Sequence, residues 1–141
     1  MDIRNKTVLI TGANRGIGRA LVQEALKRGA KKVYAATRGA SDFEDARVTP
    51  LRLDVTNASQ IQEAVVKVDT LDVLINNAGV AIYDDLSNLE VIEQHLAVNF
   101  LGLLKMTHAF LPLLKRSRGA DRKSTRLNSS HSGESRMPSS A

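Results

Sequence analysis

The 141-residue sequence contains no cysteine and no tryptophan, and aromatic residues make up only 4% of it. The absence of cysteine excludes disulfides, thiolate metal sites and cysteine nucleophiles. His95 and His108 have no partner at metal-ligand spacing, so we predict no metal site. No apolar run approaches the ~20 residues of a membrane span, and none follows the N-terminus as in a signal peptide. We therefore expect a cytoplasmic protein without a membrane partner.

The net charge of +5 comes entirely from the last part of the chain. Residues 1–114 hold thirteen basic and thirteen acidic side chains, whereas residues 115–141 hold seven basic and two acidic ones. The body of the protein is therefore neutral, and it has few aromatic side chains that would stack on bases. We expect no nucleic-acid partner.

Apolar runs and helical patterns alternate along the first 115 residues. Nearly continuous apolar runs predict four buried strands, at residues 7–11, 32–36, 49–55 and 71–76. Helical spacing of apolar residues predicts helices at 16–27 and 57–68, and one bent or two consecutive helices over 89–115. This alternation predicts an α/β protein of the doubly wound Rossmann type, with a parallel sheet in the order 3-2-1-4.

The same patterns predict which residues face the core and which residues cap the helices. Thr56 or Asn57 is expected to cap the second helix, and Ser87 the helical region that follows. Pro50 is expected at the start of the third strand, where a missing N–H matters least. The inward face of the first helix is predicted to hold Ile17, Ala20, Leu21, Ala25 and Leu26.

A glycine-rich turn, Thr-Gly-Ala-Asn-Arg-Gly-Ile-Gly at residues 11–18, joins the first strand to the first helix. Glycines let the backbone turn tightly and approach a ligand, and the free N–H groups of a helix start favour a phosphate. A tight turn without a ligand is the alternative interpretation. Ligands of such sheets bind beyond the carboxyl ends of the strands, where Asp54–Val55 and residues 76–79 would also lie.

These segments together resemble the short-chain dehydrogenase/reductase family, in its non-extended branch near the carbonyl reductases. The family motif Thr-Gly-x-x-x-Gly-x-Gly is met at residues 11–18, and its Asp-Val is met by Asp54 and Val55. Its Asn-Asn-Ala-Gly is met at residues 76–79, and its helix asparagine is met by Asn99. The resemblance covers about residues 5–118. It implies an oxidoreductase that moves a hydride between a nicotinamide and a small-molecule carbonyl or alcohol. The resemblance is also compatible with a homo-oligomeric parent enzyme.

The resemblance also implies roles for individual residues. Asp54 would accept a hydrogen bond from the adenine amino group, although capping of the next helix is an equal alternative. Asn76 is expected to form hydrogen bonds with neighbouring backbone. Asn99 is expected to bind a water of the proton relay, with a helix kink or an ordinary buried hydrogen bond as the alternatives. The expected cofactor-binding residues are Gly12, Asn14, Arg15, Gly16, Ile17, Gly18, Arg38, Asp54, Val55, Asn76, Asn77, Ala78 and Gly79.

The end of the second strand bears on the choice of cofactor. An acidic residue there normally accepts hydrogen bonds from the ribose hydroxyls of NAD, but the stretch from Tyr34 to Arg38 contains none. Asp42 follows a few residues too late. Arg38, together with Arg15 in the glycine turn, is suited to pair with the 2′-phosphate of NADP. We predict NADP rather than NAD, and the alternative is a pair of solvated arginines.

The family's catalytic serine and Tyr-x-x-x-Lys are missing from the sequence. Its two tyrosines, Tyr34 and Tyr83, are followed four residues later by Arg38 and Ser87. Because the tyrosine is the general acid/base of the family, we predict that this chain is inactive while its parent enzyme is not. A non-catalytic dinucleotide-binding module or sensor is the alternative.

Residues 119–141 depart from the family pattern and read as a disordered, non-native tail behind a dinucleotide-binding half at 1–118. Residues 121–131 and 135–141 match the translation of a sequencing adapter, with a sample index between them. We therefore hypothesise an N-terminal fragment whose fourth strand is an open edge. The last helix of such a fragment would expose an apolar face that a fifth strand or a helix of another subunit covers in the whole protein. The candidates for this face are Leu101, Leu104, Phe110 and Leu111.

Overall fold

Four parallel strands form a single sheet in the computed structural model, which describes residues 2–14, 16–39, 41–79 and 88–124. The order β3-β2-β1-β4 confirms the predicted order and the Rossmann-type fold. The strands are β1 Thr7–Thr11, β2 Lys32–Thr37, β3 Val48–Arg52 and β4 Val73–Ile75.

The helices lie where the apolar spacing predicts them. They are α1 Gly16–Lys27, α2 Ala58–Lys67, α3 Leu89–His95 and α4 Gly102–Ser124, with a π-helical segment, Leu96–Leu101, between the last two. The long helical region is therefore interrupted at its middle, in agreement with the prediction of two helices or one bent helix. Where α3 begins, the cap is Asn88 rather than Ser87, because the Asn88 side chain accepts a hydrogen bond from the N–H of Glu90. Ser87 itself lies outside the described residues.

Helix α4 ends later than predicted. It continues through Ser124, six residues into the segment for which we predicted disorder. Extending an existing helix needs no new nucleation, so a polar sequence can follow an apolar one without a break. The remainder of the predicted tail, 125–141, lies outside the described residues, and the division into 1–118 and 119–141 stays a prediction.

Two strands are shorter than their apolar runs. Leu53 and Val55 are buried but lie beyond the end of β3, although the Leu53 N–H still donates to the carbonyl oxygen of Thr37. β4 has only three residues. Residues that flank a strand are also apolar when they are buried, so the apolar run overestimates the length of the strand. Pro50 is the third residue of β3 rather than its first, which is tolerated because β3 lies at the edge of the described sheet.

Core residues lie on both faces of the sheet, as expected for parallel strands. On β1, Val8 and Ile10 face the cluster under α1, whereas Leu9 faces the cluster under α2 and α4. Asn57 caps α2, with its Oδ1 3.1 Å from the N of Gln60. Ile61 on α2 packs into the second of these clusters.

The inward face of α1 differs from the prediction. Ile17 is 73% exposed and Ala20 is also exposed, whereas the buried residues are Gly18, Val22, Ala25 and Leu26. The helix is rotated by about one residue relative to the predicted stripe. Its start sets this rotation, because only a residue without a side chain fits at position 18, against the turn.

Phe110 is the second correction to a predicted face. Leu101, Leu104 and Leu111 are exposed as expected, but Phe110 is completely buried with Met106 against the sheet. The exposed large apolar side chains along the π-helical segment and α4 are Leu96, Phe100, Leu101, Leu104 and Leu111. They lie on one side of a helical region whose other side packs in the core.

The stretch Ile92–Arg118 is also long and apolar enough to cross a bilayer, judged by length and composition alone. Core helices of globular proteins meet the same criteria, and Met106, Phe110 and Leu113 of this stretch pack against the sheet. The expectation of a protein without a membrane partner stays a prediction.

Candidate functional site

A cavity of about 540 Å³ opens at the carboxyl ends of the strands. The residues that line it are Gly12, Asn14, Gly16, Arg38, Gly39, Leu53, Asp54, Val55, Asn77, Ala78, Gly79 and Val98. Nine of these were singled out from the sequence, and the additional ones are Gly39, Leu53 and Val98. Four of the predicted residues, Ile17, Gly18, Asn76 and Asn99, are not among the lining residues, and Arg15 lies outside the described residues.

The glycine turn is built for close backbone approach. Gly12 and Gly16 have φ angles of +62° and +57°, which side chains rarely tolerate. A Cβ atom at Gly18 would lie 1.8 Å from the carbonyl oxygen of Gly12, so this position in the first turn of α1 accepts only glycine. A Cβ atom at Gly16 would meet nothing within 4 Å. The turn is therefore closed on its protein side and open on its cavity side.

The Thr11 hydroxyl connects the ends of β1 and β4. The backbone N–H groups of Asn77 and Ala78 both donate to Thr11 Oγ1, each over 2.9 Å. The Asn77 side chain donates through Nδ2 to the carbonyl oxygen of Gly12, over 3.2 Å. We call this arrangement of Thr11, Gly12, Asn77 and Ala78 the Thr11 clasp. It holds the glycine turn against the segment that follows β4.

The clasp corrects the role predicted for Asn76. We expected Asn76 to hold the strands together through backbone hydrogen bonds, but its neighbour Asn77 does this. Asn76 is only 3% exposed, and its Nδ2 has no hydrogen-bond partner among the described residues. Thr11, which the sequence analysis treated only as part of the glycine motif, is the residue whose role sequence reasoning missed. Its position directly before the first glycine, at the end of a buried strand, was the available signal.

Asp54 lines the cavity and lies at the entry into α2, whose N-cap is Asn57, so Asp54 is not the cap itself. Its contact with an adenine amino group stays a prediction. Its carboxylate accepts hydrogen bonds from the Thr56 N–H and the Thr56 hydroxyl, over 2.9 Å and 2.7 Å. Its own N–H donates to Gln60 Oε1 of α2. Asp54 thus shapes the entry into α2, which Asn57 caps, and it also lines the cavity. The Thr56 hydroxyl, followed by the Thr56 N–H and the charge of Arg38, lowers the pKa of Asp54.

Asn99 lies in the π-helical segment, close to the far end of the cavity. A Cβ atom at Gly79 would lie 3.0 Å from Asn99 Oδ1, which places the asparagine beside the segment after β4. A Cβ atom at Gly102 would lie 2.6 Å from Val55 Cγ2, so this glycine lets α4 start close to the cavity wall. Single π-helical turns are rare and are often found at functional sites.

The arrangement of strands, glycine turn and clasp has counterparts among known proteins. A family model described as short chain dehydrogenase matches residues 6–124. The chain belongs to the short-chain dehydrogenase family. A short chain dehydrogenase/reductase, dpchH, from Colletotrichum higginsianum is 33% identical over 92% of this chain.

Solved structures of other short-chain dehydrogenases share the fold. A Burkholderia cenocepacia enzyme in complex with NADP is 36% identical over 82% of the chain, with a TM-score of 0.79. An NADPH-bound carbonyl reductase from chicken fatty liver is 30% identical over 84%, with a TM-score of 0.77. A Leptospira borgpetersenii enzyme with bound NAD+ is 26% identical over 83%, with a TM-score of 0.74.

The short-chain dehydrogenase chain described here is much shorter than these proteins. It spans 37% of the Colletotrichum relative, 51% of the Burkholderia structure, 52% of the chicken structure and 49% of the Leptospira structure. The cavity described above is formed by residues in and after the four described strands.

The clasp predicts a large difference between two substitutions at Thr11. We expect Thr11→Val to lower the free energy of unfolding by about 2–3 kcal/mol, because two N–H groups lose their acceptor in a poorly solvated place. Thr11→Ser keeps the acceptor and removes one methyl group, at a cost of about 1 kcal/mol. Urea denaturation of both variants measures the difference. Equal destabilisation by valine and serine would show that the clasp is not formed.

The lowered pKa of Asp54 predicts a pH dependence of stability. The Asp54 carboxyl protonates more readily in the unfolded chain than in the folded one. Its contribution to the free energy of unfolding is therefore fully present above the ordinary aspartate pKa of ~3.9. It is lost as the pH falls below that value and through the lower folded pKa. The stability difference between the wild type and Asp54→Asn should therefore shrink between pH 7 and pH 3.

Thr56→Val provides the matched control for Asp54. It removes the hydroxyl that lowers the pKa most, so it should reduce the pH dependence that the Asp54→Asn comparison measures. An unchanged pH dependence in Thr56→Val would contradict the assignment of that hydroxyl as the main cause.

Proposed function

We propose that the chain binds NADP in the 540 Å³ cavity and that its parent enzyme is an NADP-dependent oxidoreductase of small carbonyl or alcohol compounds. The observation that carries the proposal is the open side of the glycine turn. Free space lies over Gly16 at the start of α1, where unpaired N–H groups and the helix dipole favour a phosphate.

The lining residues fit the parts of a dinucleotide. In the proposal, Gly12, Asn14 and Gly16 hold the pyrophosphate, while Ile17 and Gly18 support this turn without lining the cavity. Asp54 and Val55 hold the adenine, and Arg38 faces the 2′-phosphate. Ribose lies along the segment of Asn77, Ala78 and Gly79, with Asn76 buried behind it. Arg15 is assigned to the 2′-phosphate on the sequence pattern alone. NADP, when bound, supplies a nicotinamide that exchanges a hydride with the substrate.

The preference for NADP over NAD is supported by charge. Among the described residues that line the cavity, Asp54 is the single acid and Arg38 the single base. Asp54 follows β3, whereas Arg38 directly follows β2, where an NAD-binding site would carry an acid. The Burkholderia and chicken structures hold NADP and NADPH, whereas the Leptospira structure holds NAD+. The positive charge of Arg38 favours NADP or NADPH over NAD+.

Titration of the purified chain with NADP and NAD tests the proposal. We expect tighter binding of NADP, and Arg38→Met should weaken NADP at least tenfold while NAD binding stays within twofold. One charge-assisted hydrogen bond is worth about 1.5–3 kcal/mol, which corresponds to a tenfold change or more. Failure of the wild type to bind either dinucleotide would reject the proposed function.

The chain itself is proposed to bind without turnover. Asn99 lies beside Gly79, where the family resemblance assigns it the water of the proton relay, but no Tyr-x-x-x-Lys exists in the sequence. A positioned acid/base contributes a factor of about 10²–10⁴ to a rate, so its loss removes most of the catalysis. Reduction of any carbonyl compound above a buffer blank would contradict this proposal.

A non-catalytic sensor remains the second candidate, and the missing tyrosine and lysine favour it. The uninterrupted genomic reading frame separates the two. A frame that continues after about residue 118 into a serine and a Tyr-x-x-x-Lys supports the oxidoreductase and the adapter origin of the tail. A frame that continues into a folded second half without these residues favours the sensor. A frame that encodes residues 119–141 as they stand would reject the adapter hypothesis.

A further inference from the structure

Arg19, in the first turn of α1, makes two contacts with the connection between β2 and β3. Its Nη1 lies 3.0 Å from Asp42 Oδ1, and its guanidinium carbon lies 4.7 Å from the centre of the Phe43 ring. The Asp42 side chain is 88% exposed and that of Arg19 is 39% exposed. Phe43 packs against the core cluster under α1. The arginine thus fastens this connection to the helix that carries the glycine turn.

These contacts keep the Asp42 carboxylate on the side of α1 and away from the cavity lining. Arg38 and Gly39, earlier in the same connection, line the cavity, whereas Asp42 and Arg19 do not. The Thr37 hydroxyl donates to the carbonyl oxygen of Gly39 and holds the beginning of the connection. Asp42 is only four residues from Arg38, so a released carboxylate is near enough in sequence to pair with the Arg38 guanidinium.

We propose that Arg19 is a positioning residue for cofactor specificity, which holds the Asp42 carboxylate outside the cavity and neutralises it. The proposal rests on the NADP binding proposed above. Without Arg19, Asp42 would compete for Arg38 and repel a 2′-phosphate, which NAD does not carry. Removal of Arg19 should therefore shift the preference from NADP toward NAD.

Stability alone would not reveal this role. An exposed ion pair contributes little to folding, so Arg19→Met should leave the thermal unfolding temperature nearly unchanged. The informative quantity is the ratio of the NAD and NADP dissociation constants, which a merely structural contact would not change selectively. Salt is a second readout, because a repulsion between exposed charges weakens as the ionic strength rises.

The experiment measures both dissociation constants for the full chain and four variants at low and high salt. We expect Arg19→Met to lower the preference for NADP about fivefold at low salt and less at high salt. In Arg19→Met/Asp42→Asn the preference should return to within twofold of the wild type. Asp42→Asn alone should keep or increase it. Arg28→Met is the matched control, since Arg28 forms a similar ion pair with Glu24 at the other end of α1.

Two results would overturn the inference while the proposed NADP binding stands. The first is an unchanged preference in Arg19→Met, or a change no larger than that in Arg28→Met. The second is a loss in Arg19→Met that Asp42→Asn does not restore, because Arg19 would then contact the phosphate itself. A wild type that binds neither dinucleotide would reject the proposed function and this inference together.

Discussion

Gly18→Ala should abolish dinucleotide binding and lower the free energy of unfolding by about 3 kcal/mol or more. The added Cβ atom would lie 1.8 Å from the Gly12 carbonyl oxygen and 2.6 Å from Asn77 Nδ2. The first of these is a backbone atom, so it cannot move aside as a flexible side chain would. Overpacking against fixed neighbours costs about 1–3 kcal/mol, and occasionally more. Urea denaturation and an NADP titration measure the two effects.

Gly39→Ala is the matched control for Gly18→Ala. Gly39 also lines the cavity, but a Cβ atom there would meet nothing within 4 Å, and its φ is not positive. We expect its free energy of unfolding to change by less than about 0.5 kcal/mol. Equal behaviour of the two alanine variants would show that α1 does not start against the turn as described.

Phe110→Ala is the second substitution for which we expect a large effect. Its ring is completely buried between α4 and the sheet, and removal of such a ring costs about 3–5 kcal/mol. Leu111→Ala, one residue later and 39% exposed, should cost less than about 1 kcal/mol. Thermal or urea unfolding of both variants tests this contrast.

A milder variant keeps the Phe110 test decisive if the alanine protein does not fold. Phe110→Leu retains most of the apolar volume and should cost less than about 1.5 kcal/mol. The expected order of stability is wild type, then Phe110→Leu, then Phe110→Ala. An effect at Leu111 as large as that at Phe110 would show that the opposite face of α4 contacts the sheet.

The sequence was sufficient for the topology because each strand is an apolar run and helical patterns follow β1, β3 and β4. The described residues between β2 and β3 form a polar connection without a helix. The sequence was also sufficient for most of the cavity, since the carboxyl ends of parallel strands meet at one edge of the sheet. Ile17 and Phe110 were misplaced for a shared reason. Helical periodicity predicts the spacing of the buried residues along a helix. It predicts only weakly which side of the helix faces the sheet, because that depends on partners distant in the sequence.

The assignment of the strand-connecting role to Asn76 instead of Asn77 has a different cause. Successive residues of a strand point to opposite faces, and at the end of β4 the sequence does not show where the strand stops. β4 ends at Ile75, so both asparagines already lie in the connection that follows. The backbone of Asn77 then reaches Thr11, from which it is separated by 66 positions. No local pattern indicates a contact over that distance.

The Thr11 clasp makes ligand binding and folding a single linked equilibrium. The glycine turn, at which we propose that the cofactor binds, is held in place only when the end of β4 is in position. An unfolded chain would therefore offer no comparable site. A ligand bound there at one hundred times its dissociation constant would stabilise the fold by about 2.7 kcal/mol. Nucleotide concentration would thereby influence how long the folded chain persists against proteolysis, independently of any catalytic activity.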